Sequence, residues 1–161
     1  MRRNRNDIET LSVDSYNALD RLVAEKVMGW RVMDWDETVP EEGEVLIYEI
    51  FEPKECNGWA LYQVDNIGLR GTSWNPSCSM ASSWVVAEKM YTSREFTLER
   101  GWIKHPMCAW HCHMGWCDAM ANTPTLAICV ASLLAVGIAV TPAASMGITF
   151  KYWVLDDAIT I

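Results

Sequence analysis

The sequence predicts an α+β fold in which three helices cover both faces of a mostly antiparallel sheet of about five strands. Three observations lead to this expectation. Apolar residues recur at helical spacing behind capping residues, β-rich runs bounded by turn residues lie between those segments, and the last helical segment is apolar almost all round. Such a helix lies against a sheet rather than in water. With 161 residues, 50% of them hydrophobic, the chain is long enough for one domain with a sizeable core.

The first helix is predicted to begin near Asp14 or Ser15, because either side chain can accept a hydrogen bond from the first helical turn. Gly29 can end this helix in a left-handed conformation. Residues 1–13 are expected to form a flexible N-terminal arm, and residues 14–161 a single domain.

The second helix is predicted over about residues 79–90, with Ser79 among its candidate caps. The third begins at Thr123 and Pro124. Threonine caps it, and proline occupies the first helical position, where its missing N–H costs nothing. Gly137 is expected to end this helix.

Strands are predicted where β-branched or aromatic residues form short runs between turn residues. The last run alternates between apolar and polar residues and is expected to add a C-terminal edge strand. The predicted strands lie at residues 30–35, 43–51, 59–64, 96–98, 102–116 and 148–155.

The net charge of −8 is spread unevenly. Residues 34–55 hold nine acidic residues and one basic residue, Lys54, so we expect a solvated acidic hairpin there. Because duplex DNA and anionic membranes are bound by neutralising phosphates, an acidic chain is a poor binder of either. We predict that the uncharged segment 119–150 does not span a membrane. Its densest apolar run, 126–140, is shorter than the roughly 20 residues that cross a bilayer.

Six cysteines are present, and no secretory signal precedes them. We therefore expect reduced thiols, as in a cytoplasm. Cys78 and Cys129 are expected to pack in the core, because free cysteine is among the residue types most often buried.

A cluster of potential metal ligands lies in residues 105–117, which hold all three histidines and three of the six cysteines. Thiolates and imidazoles at this density can bind zinc, but the spacing fits no standard finger or ribbon. On a strand, His111, His113 and Cys117 are expected to share one face and Cys112 the other, so the ligands do not converge. We predict an ordinary strand with no metal and no cofactor, and a structural metal stays open as the alternative.

Tryptophan is unusually frequent, with nine residues. Trp30 and Trp84 are expected to be core anchors. Trp74, Trp110 and Trp116 lie near turns or strand ends, where an indole ring supplies stacking area for a base or for a partner's side chain. This surplus favours a binding surface or an oligomer interface, and we expect a homo-oligomer.

The starts of the second and third helices form a candidate anion site, because neither has an acidic cap and helix N-termini offer free N–H groups. Ordinary capping is the alternative for the same residues. The predicted ligand-binding residues are Arg70, Trp74, Asn75, Ser77, Ser79, Trp110, Trp116 and Thr123.

Three segments resemble, in order and spacing, the phage ABA-sandwich domain family. They are residues 19–30 with their Val-Met-Gly-Trp ending, the Pro-Ser step at 76–77 that leads into 83–90, and the Thr-Pro-Thr-Leu-Ala-Ile-Cys run at 123–129. The resemblance covers about residues 19–138. It implies an α/β/α sandwich of viral origin.

The resemblance further implies a small accessory phage protein that acts in the cytoplasm of the infected bacterial host. Some such proteins sequester nucleotide second messengers of antiviral signalling. The sequence holds no H-E-x-x-H motif, phosphate-binding glycine loop or nucleophile elbow. We therefore predict a non-enzymatic counter-defence protein that binds a small anionic, nucleotide-like host immune signal.

Two alternative functions stay open. One is a protein-interaction module that inhibits a host protein through the acidic surface. The other is a metal-assisted enzyme that acts on nucleotides and uses His111 and His113.

Overall fold

The computed structural model describes residues 8–33, 41–65, 68–92, 94–100 and 109–154, and at residues 51, 64, 65 and 68–71 it describes the backbone alone. Its elements confirm the predicted α+β class. In chain order they are β1 (Glu9–Val13), α1 (Tyr16–Val23), β2 (Arg31–Val32), β3 (Val45–Lys54), β4 (Asn57–Asp65), β5 (Gly68–Trp74), α2 (Met80–Tyr91), β6 (Phe96–Arg100), β7 (Trp110–Met114), β8 (Cys117–Ala121), α3 (Pro124–Ala135), β9 (Ile138–Pro142) and β10 (Phe150–Val154).

The strands form three sheets rather than one sheet of about five strands. One sheet has the order β10-β8-β7-β6 and is antiparallel throughout. A second has the order β2-β3-β4-β5, in which only β2 and β3 are parallel. The strands β1 and β9 form a parallel pair. Pairing is therefore mostly antiparallel, as predicted, but the part of the chain described here contains about twice the expected number of strands.

The first helix ends as the sequence predicts. The Ser15 hydroxyl accepts a hydrogen bond from the N–H of Ala18 at 3.0 Å and caps α1. A π-helical segment, Ala24–Met28, continues α1. Gly29 then adopts a φ of 72°, which is the left-handed region that glycine enters without a steric penalty.

The second and third helices also begin at their predicted caps. The hydroxyl of Ser79 accepts from the N–H of Ser82 at 3.5 Å, and that of Thr123 accepts from the N–H of Leu126 at 3.3 Å. Every residue of α3 from 125 to 135 is buried. This helix packs against β7 and β8 on one side and against α2, which confirms that the apolar helix lies on a sheet.

The predicted flexible arm is wrong over the residues just before α1. Residues Glu9–Val13 were expected to be flexible, but they form β1, which pairs in parallel with β9 from Glu9 opposite Ile138 to Val13 opposite Pro142. Val13 is buried. The strand β9 therefore pairs with residues that no local sequence signal identified as a strand. Residues 1–7 lie outside the described ranges.

The predicted C-terminal strand is confirmed, and it begins two residues later than predicted. It is β10, and it pairs antiparallel with β8 at one edge of the sheet. Among the described helices none is long and apolar enough to cross a membrane.

The expectation of reduced thiols is wrong for two cysteines. Cys56 and Cys78 form a disulfide that joins the turn between β3 and β4 to the loop before α2. Cys78 is exposed rather than packed in the core. Cys129 is fully buried, as predicted.

Candidate ligand-binding site

The two helix starts predicted to form an anion site lie next to each other. The Thr125 hydroxyl, in the first turn of α3, donates to the backbone carbonyl of Ser77 at 2.7 Å. Thr123 and Thr125 are also within hydrogen-bond distance through their hydroxyls, at 3.1 Å. The fold therefore brings Ser77 and Thr123, which are far apart in sequence, to the same end of the α2/α3 pair.

Most polar groups at this point are already used within the protein. The N–H of Ser77 donates to a carboxylate oxygen of Asp20 at 2.8 Å, and the indole N–H of Trp74 donates to the backbone carbonyl of Asp20 at 3.0 Å. Trp74 and Ser77 are buried. Neither side chain is accessible to a ligand in this structure, and both pack in the core instead.

Asp20 is the most unusual group of this buried corner. Burial raises the pKa of its carboxyl to about 7, against the smaller opposing effect of hydrogen bonds from Ser77. Its second carboxylate oxygen is buried and has no hydrogen-bond partner among the described residues. Asp20 was not among the predicted site residues, since a single acid in an amphipathic helix gives no signal that it faces inward.

The remaining predicted residues divide between the loop before α2 and strands of the two four-stranded sheets. The Asn75 side-chain amide donates to the carbonyl of Cys56 at 2.9 Å and holds the loop before α2. Trp110 and Trp116 belong to the β7–β8 hairpin of the other sheet and are partly buried against the core. Arg70 lies on β5, but its side chain is outside the described residues.

The Cys/His segment forms the hairpin of β7 and β8. His111 and His113 share the outer face of the sheet, as predicted, but Cys117 does not join them. Because a two-residue turn places Cys117 opposite Met114, its side chain lies on the buried face. The predicted grouping of Cys117 with the histidines is therefore wrong.

The two histidines converge on one acid instead. A carboxylate oxygen of Asp118 lies 2.6 Å from Nε2 of His111 and 3.0 Å from Nδ1 of His113. The Nδ1 atom of His111 faces Glu99 at 3.2 Å, and the imidazole ring of His111 lies 5.6 Å from the ring of Trp153. Among the residues described, no three side chains of the metal-binding types are arranged around a metal position.

A cysteine nucleophile paired with His111 has little support in this hairpin. Burial, reinforced by the charge of Asp118, raises the pKa of the Cys112 thiol to about 12. The side chain of Cys112 also points away from His111, into the core. His105 and Cys108, the other members of the predicted cluster, lie outside the described residues.

The outer face of α2 carries an apolar stripe that the sequence did not predict. Trp84, predicted to be a core anchor, is 49% exposed, and Tyr91 is 69% exposed. The helix is apolar on both faces, and its other face, with Val86, Ala87 and Met90, is the one that is buried.

This stripe borders a groove, which we call the aromatic groove. Its volume is about 360 Å³. The rings of Trp84 and Phe96 meet edge to face, with centroids 6.2 Å apart and planes at 84°. The described residues that line the groove are Trp84, Ala87, Glu88, Tyr91 and Phe96.

Comparison with known proteins places the chain in a family. The sequence profile of the phage ABA sandwich domain matches residues 21–133, which is most of the chain. The chain belongs to the phage ABA sandwich domain family. The match includes α2 with the aromatic groove and most of α3, whereas β1, β9 and β10 lie outside it.

A solved structure shares the fold of this phage ABA sandwich protein. It is the 2.0 Å crystal structure of a phage protein from Bacillus cereus, with 19% identity and a TM-score of 0.50. The similarity covers 80% of this chain and 94% of that protein. No curated protein sequence matches the chain.

Proposed function

We propose that this phage ABA sandwich protein is a non-enzymatic counter-defence protein. It binds and sequesters a small nucleotide-like immune signal in the cytoplasm of the infected bacterial host. The observation that carries the proposal is the aromatic groove, which is lined by two exposed aromatic residues, Trp84 and Tyr91, and by Phe96. Stacking on such rings is worth about 1–3 kcal/mol per base and tolerates any base.

The size of the groove suits this role. Ligand pockets have volumes of about 300–1,000 Å³, and the aromatic groove lies at the lower end with 360 Å³. Its lining is formed mainly by the aromatic side chains, and the small side chain of Ala87 borders it from the buried face of α2. In a chain of net charge −8, affinity for a nucleotide rests on such stacking more than on neutralising phosphates.

The predicted helix-end residues support the groove rather than line it. Ser79 caps α2, Asn75 fixes the preceding loop to Cys56, and the disulfide at Cys78 ties that loop to the β3–β4 turn. The helix that carries Trp84 and Tyr91 is thereby held in place before a ligand arrives. Such pre-organisation reduces the entropy lost on binding.

Isothermal titration calorimetry with a panel of cyclic and linear nucleotides tests the proposal. We expect at least one member to bind, and Trp84→Ala to weaken it at least tenfold. Trp153→Ala is the matched control, because Trp153 is also half exposed, at 42%, but does not line the aromatic groove. A folded protein that gives no heat with any nucleotide contradicts the proposal.

A second candidate function rests on the acidic turn before β3. Glu41 and Glu42 are exposed there, whereas Glu44 is paired with Arg31 at 2.9 Å. Exposed carboxylates attract basic partners. A host protein captured from lysate by the wild type, but lost with a double Glu41→Lys and Glu42→Lys variant that keeps Glu44, supports inhibition of a host protein. No capture at low salt contradicts it.

A further inference from the structure

We infer that the Cys56–Cys78 disulfide is a reversible thiol-exchange site, at which a small thiol of the glutathione class attacks the sulfur of Cys78. The two cysteines differ in access, because Cys78 is exposed and Cys56 is only partly exposed. The free cysteines of the described residues are all buried, namely Cys112, Cys117 and Cys129. Within the described part of the chain, a dissolved thiol therefore reaches sulfur at Cys78. This site does not depend on which ligand the aromatic groove binds.

Asn75 holds both cysteines through hydrogen bonds that are separate from the disulfide. Its side-chain amide donates to the backbone carbonyl of Cys56 at 2.9 Å, and its backbone carbonyl accepts from the N–H of Cys78 at 3.0 Å. The side-chain oxygen of Asn75 in turn accepts from the hydroxyl of Ser82, in the first turn of α2, at 3.3 Å. Because none of these contacts uses a sulfur atom, they keep the two cysteines adjacent when the disulfide is reduced.

Two thiols that the fold holds side by side re-form their disulfide readily. Groups that are already positioned react without first losing translational and rotational entropy, so the intramolecular step outcompetes attack by a second dissolved thiol. An accessible cysteine beside a second, resolving cysteine is also the arrangement of redox-sensing sites. The pair should therefore open and close while the protein stays folded, with Cys78 as the entry point and Cys56 as the resolving cysteine.

The exchange consists of two steps that pass through a mixed disulfide. A glutathione thiolate first attacks the sulfur of Cys78, the bond between the two protein sulfurs breaks, and Cys56 leaves with the electron pair. The Cys56 thiolate takes up, through solvent, the proton that the glutathione thiol lost. A second glutathione thiolate then attacks the glutathione sulfur of the mixed disulfide, and Cys78 leaves and is protonated in the same way. Two glutathione thiols are thus oxidised to one glutathione disulfide, and the two cysteines are reduced.

Incubation of the folded full chain with glutathione, followed by alkylation and peptide mass mapping, tests the inference. We expect the disulfide to open while the circular dichroism spectrum stays unchanged. The glutathione adduct should map to Cys78 roughly tenfold more often than to Cys56, because exchange depends on access to the attacked sulfur. A disulfide that glutathione reduces only when the protein unfolds, or an adduct found mainly on Cys56, overturns the inference.

Two single-cysteine variants compare the sulfurs directly. Cys56→Ser leaves Cys78, Cys78→Ser leaves Cys56, and both variants lack the disulfide. With glutathione disulfide as the reagent, Cys56→Ser should form its mixed disulfide roughly tenfold faster than Cys78→Ser. Equal rates would show that the two sulfurs are equally accessible, and they overturn entry at Cys78.

Asn75→Ala tests how the pair is held. Without the amide that donates to Cys56, the reduced loop and turn can separate, so the ratio of disulfide to dithiol in a fixed glutathione buffer should fall roughly fivefold. Asn17→Ala is the matched control, because the Asn17 amide donates to the carbonyl of Lys54 in the same turn, at 3.1 Å, and not to a cysteine. An equal ratio in the two variants overturns the role of Asn75.

Discussion

The side chain of Asp20 on α1 accepts a hydrogen bond from the backbone N–H of Ser77, in the loop before α2, at 2.8 Å, and both residues are buried. Ser77 in turn accepts from Thr125 of α3. Ser77 therefore links α1 and α3 to the loop that leads into α2. Because burial raises the pKa of the Asp20 carboxyl to about 7, the stability of the helix arrangement is linked to pH.

The first prediction concerns this linkage. Asp20 has a pKa of about 7 when folded and an ordinary value of 3.8, so the folded state binds more protons between these two values. The free energy of unfolding should therefore fall as pH rises from about 4 to about 7, by at most about 4 kcal/mol from this group. Asp20→Asn should flatten that slope in urea unfolding curves.

The control for this prediction is Asp14→Asn, which changes an exposed acid just before α1. It should leave the slope unchanged. The hydrogen bond from Arg31 lowers the pKa of Glu44 from its ordinary value of 4.5. The stability that Glu44 contributes is therefore lost as pH falls below 4.5, which is the opposite direction to the loss from Asp20. A wild-type protein whose stability is constant from pH 5 to pH 8 contradicts the prediction.

The second prediction concerns Gly58 on β4. A Cβ atom at this position would lie 2.5 Å from Cγ of Asn17. The side chain of Asn17 has little freedom to move, because its amide donates to the carbonyl of Lys54 at 3.1 Å and its backbone carbonyl accepts from Trp59 at 2.8 Å. Gly58→Ala should lower the free energy of unfolding by about 1–3 kcal/mol.

A double-mutant cycle separates this clash from a general cost of alanine in the strand. In an Asn17→Ala background the obstructing side chain is gone, so Gly58→Ala should cost less than about 0.5 kcal/mol. Equal costs of Gly58→Ala in the two backgrounds would show that the contact with Asn17 is not the cause.

The helix ends were predictable from sequence because capping is local. Ser15, Ser79 and Thr123 each accept a hydrogen bond from a residue three positions ahead, and Gly29 enters a conformation that its own backbone permits. The packing of α3 was predictable for a similar reason, since a helix apolar all round has only one stable environment.

The strand pairing was not predictable, because it depends on distant residues. The strand β1 pairs with a strand more than 120 positions later, with Glu9 opposite Ile138, and no residue near Glu9 indicates this pairing. The link between Cys56 and Cys78 is of the same kind, since six cysteines allow many pairings.

The aromatic groove was not predicted, because the exposure of a helix face is decided by its neighbours. Both faces of α2 are apolar, and the sequence does not say which one α3 will cover. Trp84 therefore read as core and Trp74 as a stacking residue, whereas the fold buries Trp74 against Trp30 and exposes Trp84.

The third prediction concerns the disulfide. Cys56 and Cys78 are 22 positions apart, and closing a loop of this length in the unfolded chain is worth about 3 kcal/mol in the chain-entropy account. A double Cys56→Ser and Cys78→Ser variant should lose stability of this order. Guanidinium unfolding measures the loss, and peptide mapping of the wild type shows the linked pair.

The double variant should keep its fold, because Asn75 still donates to the carbonyl of residue 56 and Ser77 still contacts Asp20. Its circular dichroism spectrum should match that of the wild type. A wild type in which mapping shows the disulfide, but whose unfolding midpoint equals that of the double variant, rules out a stabilising role for the cross-link.

The fourth prediction concerns Asp118, which holds His111 and His113 on the outer face of the sheet. Its side chain is only 7% exposed and accepts from both imidazoles at 2.6 Å and 3.0 Å. Asp118→Ala removes the shared acceptor and should lower the free energy of unfolding by about 1–3 kcal/mol. Glu99→Ala is the matched control, because Glu99 contacts the same His111 at 3.2 Å but is 63% exposed, and such a pair is worth less than about 1 kcal/mol. Urea unfolding at a fixed pH measures both losses. Equal losses in the two variants would show that the burial of Asp118 between the imidazoles adds no stability beyond that of an exposed pair.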